Sequence, residues 1–298
     1  MSSLIEQAAQ RLEQLRNAGA AMPEMRETVS APDIARSAVD EGPPALLSRR
    51  VEIDLGALAQ AGIVSPHAPR SQVADQFRVI KRPLISNAMG KGASAVASGN
   101  LIMVTSAMPG EGKTFTAINL AMSIATELDH TVMLVDADVA RPSVMRVLGL
   151  QAGRGLLDLV LDDSTDLSGM LLRTNIEKLT ILPSGTPHAR ATELLASDSM
   201  IRLLNDIARR YPDRIVIFDS PPLLLATEAR VLASHMGQIV VVVQAEKTLQ
   251  SDVVQALAAI EACPVKLMLL NQARSAARSG YEYGYGYGYG YGYEQQAA

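Results

Sequence analysis

Leu101-Ile-Met-Val-Thr-Ser-Ala-Met-Pro-Gly-Glu-Gly-Lys-Thr114 is the stretch that decides the fold. Its opening run carries no charge and no alternation, the pattern of a strand buried on both faces. After the glycines the chain continues as Phe115-Thr-Ala-Ile-Asn-Leu-Ala-Met122, which predicts a helix over 113–128. Residues 107–114 keep the spacing of a Gly-x-x-x-x-Gly-Lys-Ser/Thr phosphate-binding loop, with Ala107 at the first glycine position. The chemistry needs this arrangement. Gly110 and Gly112 let the backbone bend until its N–H groups converge on phosphate, and the helix N-terminus adds positive potential. Lys113 reaches the β- and γ-phosphates, and the Thr114 hydroxyl is placed to ligate Mg²⁺. A plain glycine turn gives no reason for strand, spacing and helix to coincide.

Working outward, short apolar runs recur at 131–135, 179–182, 214–218, 238–243 and 265–270, with helical patterns near 191–210, 227–235 and 249–262. Such strands, separated by helices, predict an α/β P-loop NTPase fold: a mostly parallel sheet with helices on both faces. In these sheets ligands bind beyond the carboxyl ends of the strands. Two runs end there in acids, Asp136-Ala-Asp138 and Asp219. One strand-end aspartate is commonly only a helix cap. Three beside a phosphate loop point to metal and catalysis. Asp219 is the expected Mg²⁺ ligand, and a carboxylate of the Asp136/Asp138 pair can take a proton from an acceptor hydroxyl.

The last segment is the least protein-like. Tyr281-Glu-Tyr283-Gly-Tyr285-Gly-Tyr287-Gly-Tyr289-Gly-Tyr291-Gly-Tyr293 holds seven of the eight tyrosines. Alternating glycine without aliphatic partners cannot build a core, so 276–298 is expected to be a disordered tail. It is either an adhesive low-complexity segment or a row of phenols offered to an enzyme. At the other end, Leu4, Ile5, Ala8, Leu12 and Leu15 describe a short amphipathic helix over 1–18. Residues 19–70, with Pro23, Pro32, Pro43 and Pro44, read as a flexible linker holding a short edge strand at 51–55. A helix follows from Val73 to Lys81, ended by Pro83, and carries Asp75, Arg78 and Lys81 at spacings of three.

Composition excludes several classes. The net charge of −4 offers no footprint for nucleic acid. The single cysteine, Cys263, allows neither an internal disulfide nor a cysteine metal cluster, and reads as buried filler. No apolar run is long enough to span a bilayer, and the N-terminus does not read as a signal peptide, so the chain is expected to be cytoplasmic.

These motifs resemble those of the bacterial tyrosine kinases. The resemblance rests on Ala107–Thr114, on Met133-Leu-Val-Asp-Ala-Asp138 as the second nucleotide motif, and on Ile215-Val-Ile-Phe-Asp-Ser-Pro-Pro222 as the third. It extends over residues 71–298, with 71–275 as the kinase domain, and is nearest in organisation to the exosortase-associated exopolysaccharide autokinase branch. It implies ATP and Mg²⁺ held by the loop residues Met108, Pro109, Gly110, Glu111 and Gly112, by Lys113, Thr114 and Phe115, and by Asn271 beside adenine. Asp136 becomes the base, while Asp138 and Asp219 hold the metal. Tyr281, Tyr283, Tyr285, Tyr287, Tyr289, Tyr291 and Tyr293 become phosphoacceptors. Asp75, Arg78 and Lys81 are similar to the family's subunit-interface motif, with Asp and Lys where Glu and Arg are usual. After Asp138 the usual Asp-x-Arg spacing is broken by Ala140, with Arg141 one place later. The resemblance also implies a homo-oligomer of the ring-forming kind, a membrane polysaccharide co-polymerase that recruits the chain to the inner membrane face, and an opposing tyrosine phosphatase. Two other readings remain open from the residues: a partitioning-type ATPase switch, whose signature lysine is replaced here by Met108, and a nucleotide-binding assembly factor with an adhesive tail.

Overall fold

The computed structural model describes residues 48–66, 71–92, 95–210 and 213–273. The helix expected over 1–18, most of the linker and the tyrosine row lie outside the described residues. The strands are β1 (Arg49–Arg50), β2 (Leu101–Ser106), β3 (Thr131–Asp136), β4 (Leu172–Arg173), β5 (Leu179–Leu182), β6 (Arg214–Asp219), β7 (Gln238–Gln244) and β8 (Val265–Asn271). The helices are α1 (Leu55–Gln60), α2 (Gln72–Ala88), α3 (Lys113–Ala125), α4 (Val144–Val147), α5 (Leu156–Leu161), α6 (Leu167–Met170), α7 (Ala191–Leu195), α8 (Asp198–Arg210), α9 (Thr227–Ala233) and α10 (Gln250–Ala259).

One sheet runs in the order β1-β4-β5-β3-β6-β2-β7-β8, and every neighbouring pair is parallel except β4–β5. Side chains alternate across it. Leu101 and Met103 of β2 enter one apolar cluster with α5, α8 and α9, whereas Ile102 and Val104 enter the other with α2 and α3. A central strand with both faces covered needs an unbroken apolar run, which explains why the sequence shows no alternation there. Register then sets the chemistry. Asp136 and Asp219 are Cα partners across β3 and β6, and Val104 of the loop-bearing strand pairs with Asp219.

Three details depart from the sequence expectations. First, α2 runs through Pro83 to Ala88 instead of ending before it. Proline costs a helix interior about 3 kcal/mol. Leu84 and Ile85 beyond it are buried in the same cluster as Phe77, and burial of such side chains is worth roughly 1.5–3 kcal/mol each. Packing wins. Second, the segment read as linker joins the fold by Arg49. Its strand lies at Arg49–Arg50 instead of 51–55, and Ile53, Leu58 and Ile63 are buried. The Asn175 side chain clasps Ile53 through its N–H and C=O, both at 3.0 Å, and Asp54 caps α1 at Gly56 and Ala57. Third, the antiparallel strand β4 has only two residues, too few to leave a periodic signal. Cys263 is buried, as expected of filler, and burial pushes its thiol up. Among the described residues, no helix is long and apolar enough to cross a membrane.

Candidate active site

The loop between β2 and α3 is held open by its two left-handed glycines, Gly110 at φ 84° and Gly112 at φ 94°. A side chain at Gly112 is doubly barred, because its Cβ would lie 2.0 Å from Asn271 Nδ2. That amide donates to the Glu111 carbonyl at 2.9 Å, so the end of β8 braces the loop directly. The Glu111 side chain, 2% exposed, turns back into the protein. One oxygen accepts from the Met108 N–H at 2.8 Å and the other from the Thr248 hydroxyl, ahead of α10. The loop is thereby tied to the two strand ends on its outer side, which pre-organises its N–H groups.

On the other side stand the acids. Thr114, in the first turn of α3, donates its hydroxyl to Asp219 Oδ2 at 2.7 Å and meets the Ser143 hydroxyl at 2.9 Å. Asp219 is fully buried, and its Oδ1 has no hydrogen-bond partner. Burial pushes its pKa up to about 8, with the nearby Asp136 and Asp138 charges adding to the shift and the Thr114 bond and Lys113 opposing it. Asp136 is equally buried. Its Oδ2 accepts from the Ser143 and Val144 N–H groups at 3.1 and 3.0 Å, while its Oδ1 is unpartnered. Burial raises this carboxyl to about 6, against the lowering effect of those N–H groups. Asp138 pairs with Lys113 at 3.3 Å and accepts the Arg141 N–H through its other oxygen.

Two buried carboxylate oxygens without partners, beside a hydroxyl and a lysine, form an oxygen-rich site suited to a hard cation, whose charge would offset the burial that raises both carboxyls. Among the described residues no group of three His, Cys, Asp or Glu side chains could hold a metal ion alone. This matches the way Mg²⁺ is ordinarily held, by one or two protein oxygens with water and phosphate completing the shell. Asp219, with the Thr114 hydroxyl beside it, fits that role, and Asp138 can join only by releasing Lys113.

Most residues singled out from sequence therefore converge: Lys113 meets Asp138, Thr114 meets Asp219, and Ser143 links Thr114 to Asp136, with Asn271 behind the loop. Phe115 differs, because its side chain packs away from the cleft beside Phe77 and Leu269. Arg141 turns an exposed side chain outward at the cleft rim. Lys81 corrects an expectation. Instead of standing on an interface it is 2% exposed, donating to the Ser123 carbonyl (2.5 Å) and to Thr126 (3.3 Å), and pairing with Glu127 (2.7 Å). It secures the C-terminal end of α3 because a long cation at that position reaches the helix's last carbonyls. Arg78 and Asp75 stay exposed and pair with each other at 2.7 Å. Sequence reading missed Ser143 and Thr248. Ser143 follows Arg141-Pro142 at a helix start, a signal of position only, and Thr248 gave none.

A buried parallel sheet, a glycine loop opening a helix and convergent strand-end carboxylates define a P-loop nucleotide-binding domain, and the family model described as "AAA domain" matches residues 99–269. Nearer relatives narrow this. The chain is 32% identical over 228 residues to the tyrosine-protein kinase YwqD of Bacillus subtilis strain 168, spanning 76% of this chain and 92% of that one. It is 35% identical over 160 residues to the tyrosine-protein kinase CpsD of Streptococcus pneumoniae serotype 4, spanning 52% and 67%. Among solved structures it superposes on the chimerical protein CapA2B2 with a TM-score of 0.58 at 27% identity, over 74% of this chain and 93% of that one. The chain belongs to the bacterial tyrosine-protein kinase family. The partitioning-ATPase and assembly-factor readings give way to that finding.

Proposed function

We propose that this kinase is an autokinase that uses Mg²⁺ and ATP to phosphorylate the tyrosine row Tyr281–Tyr293, in trans within a homo-oligomer. The observation that carries the reading is the free Asp136 Oδ1. Its partner oxygen is fixed by two N–H groups, which leaves this oxygen, at the carboxyl end of β3, to accept a proton. A phenol with a pKa near 10 needs such an acceptor at neutral pH. The phenol oxygen attacks the γ-phosphorus, the bond from phosphorus to the bridging oxygen breaks, ADP leaves, and the phenol proton passes to Asp136 Oδ1. Lys113, held now by Asp138, is within reach of the transferred phosphoryl and offsets its charge. Thr114 and Asp219, with Asp138 once Lys113 leaves it for the phosphate, would hold Mg²⁺, which would supply charge neutralisation to the transferring phosphoryl group. Asn271 keeps the loop's shape beside the base.

Reach permits transfer between subunits. The chain continues 27 residues past Asn271, about 90 Å at ~3.3 Å each when extended. We further propose, on the motif resemblance, that the activity regulates exopolysaccharide chain length or export, with a membrane co-polymerase as recruiting partner and a phosphatase as counterpart. The test mixes a Lys113→Met protein bearing an intact tail with an active protein truncated after Gly280, followed by mass spectrometry of the tail. Phosphotyrosine on the intact tail is the expected result. An active enzyme that leaves that tail unmodified sinks the trans reading, and ATP turnover without any phosphotyrosine in the full chain sinks the autokinase reading.

A further inference from the structure

β8 closes one edge of the sheet, with no strand beyond it among the described residues. The Asn271 carbonyl accepts from the Ala245 N–H at 2.9 Å and so points inward, past the end of β7. Successive residues of a strand direct their main-chain groups to opposite sides, so Lys266, Met268 and Leu270 turn theirs outward. The same positions carry uncovered apolar side chains: Met268 and Leu270 are each 64% exposed. Leu267 and Leu269 face the other way, into the cluster with α2 and α3. Between this edge and α2 runs a groove of about 670 Å³, walled by Val73, Ile80, Pro83 and Phe115. Val79, also lining it, is 74% exposed. An apolar edge with free main-chain groups is a template for another strand.

We propose that this edge is the resting dock of the chain's own tail, with part of the row Tyr281–Tyr293 adding to β8 as an antiparallel strand. The described chain ends at Ala273, which itself lines the groove. Residues 274–280 then supply seven positions to reverse direction, where hairpins ordinarily need two to five. The row has the period of a strand. Every tyrosine falls on one face and every glycine on the other. With the tyrosines over Met268 and Leu270, each phenol ring makes an aromatic–aliphatic cross-strand pair. The glycines then face α2, where the absence of Cβ atoms lets the strand lie close under Val79. One-residue slips are barred because they would exchange the faces. A two-residue slip restores the same pairing, so the tail can shift along the edge and free one phenol at a time.

The consequence for phosphorylation rests on the autokinase reading; the docking does not. A docked phenol is withheld from a neighbour's cleft, and a phosphate carrying about −1.5 to −2 charges cannot return to an apolar edge without a large desolvation cost. A phosphorylated tyrosine would then stay off the edge until its phosphate is removed.

The experiment is hydrogen exchange on the full chain and on the chain truncated after Gly280, both without nucleotide and over a range of protein concentrations. The segment 265–271 is expected to exchange on the order of tenfold more slowly in the full chain, at every concentration. Full chains carrying Met268→Glu and Leu270→Glu, or serine at the seven tail tyrosines, should lose that protection while the central strands β2 and β6 keep theirs. Equal exchange in the full and truncated chains overturns the proposal. So does protection that survives truncation and grows with concentration, which would assign the edge to a second copy. Phosphotyrosine formation, followed separately, reports on the autokinase reading alone.

Discussion

Replacing Lys81 with methionine tests whether this lysine belongs to the subunit or to an interface. The side chain is 2% exposed, and its three donors go to Ser123, Thr126 and Glu127. Methionine keeps most of the stem's volume and removes the charge. Ser123 keeps a donor, the Thr126 hydroxyl at 2.7 Å, so its carbonyl is not orphaned. Glu127 loses its nearer cation but retains Arg82 at 3.6 Å and some contact with water, its side chain being 21% exposed. The loss is therefore one charged hydrogen bond, about 2 kcal/mol, which falls short of a fully buried broken pair. For a domain of this size that lowers Tm by roughly 4–8 °C. Glu127→Gln should cost more, since it leaves the buried ammonium without its countercharge. The pH dependence carries a second signature. Burial works to raise the Glu127 carboxyl, but Lys81 and Arg82 outweigh it and hold the group below the usual carboxylate range. A depressed folded pKa gives stability that is present above the unfolded pKa and is lost as pH falls through the folded one. The wild-type protein should thus lose stability on acidification below about pH 4.5, and Lys81→Met should flatten that limb. Thermal unfolding followed by circular dichroism from pH 3 to 7, with light scattering for mass, measures both. An unchanged Tm together with an altered oligomer mass would refute the reasoning and return Lys81 to the interface.

Arg78→Ser, by contrast, removes an exposed pair worth about 0–1 kcal/mol, so unfolding should barely move; any change in oligomer mass then reports assembly directly. Gly112→Ala should weaken nucleotide binding, measured by fluorescence titration, by roughly 30- to 150-fold, since the added methyl strains a positive φ and displaces the Asn271 brace, together about 2–3 kcal/mol. Asp219→Asn should raise the Tm of the nucleotide-free protein, and more at pH 8.5 than at pH 6. A carboxyl whose folded pKa is raised to about 8 contributes stability below its unfolded pKa and loses it as pH rises through the folded value. The same variant should lose kinase activity at least about a hundredfold, a cost typical of removing charge at a phosphoryl-transfer site.

The central strands and the cleft were legible because each has a local signature. β2, β3, β6 and β7 are apolar without alternation, the loop has fixed spacing, and the acids sit at strand ends. What escaped depends on distance in the chain. Nothing near Thr248 announces that its hydroxyl will meet Glu111, 137 positions earlier, and Ser143 becomes part of the cleft only because α4 turns back over β3. Lys81 was misread for the same reason: spacing of three along α2 predicts a shared face, but not that α3 ends against one member of it. Pro83 misled through a sound local rule that burial of Leu84 and Ile85 overrode. The tail's composition left an adhesive segment and a row of phenols both open, and the tyrosine row lies outside the described residues.

The Asn271 brace has one further implication. The residue that shapes the phosphate loop stands 10 positions before Tyr281 and 22 before Tyr293. On the proposed autokinase reading, catalyst and acceptor share one chain, which keeps each near the other however dilute the protein is. In an assembly of such subunits the proposed acceptor then arrives with the enzyme. Abundance of substrate cannot then set the rate, and control falls to whatever governs access to the cleft.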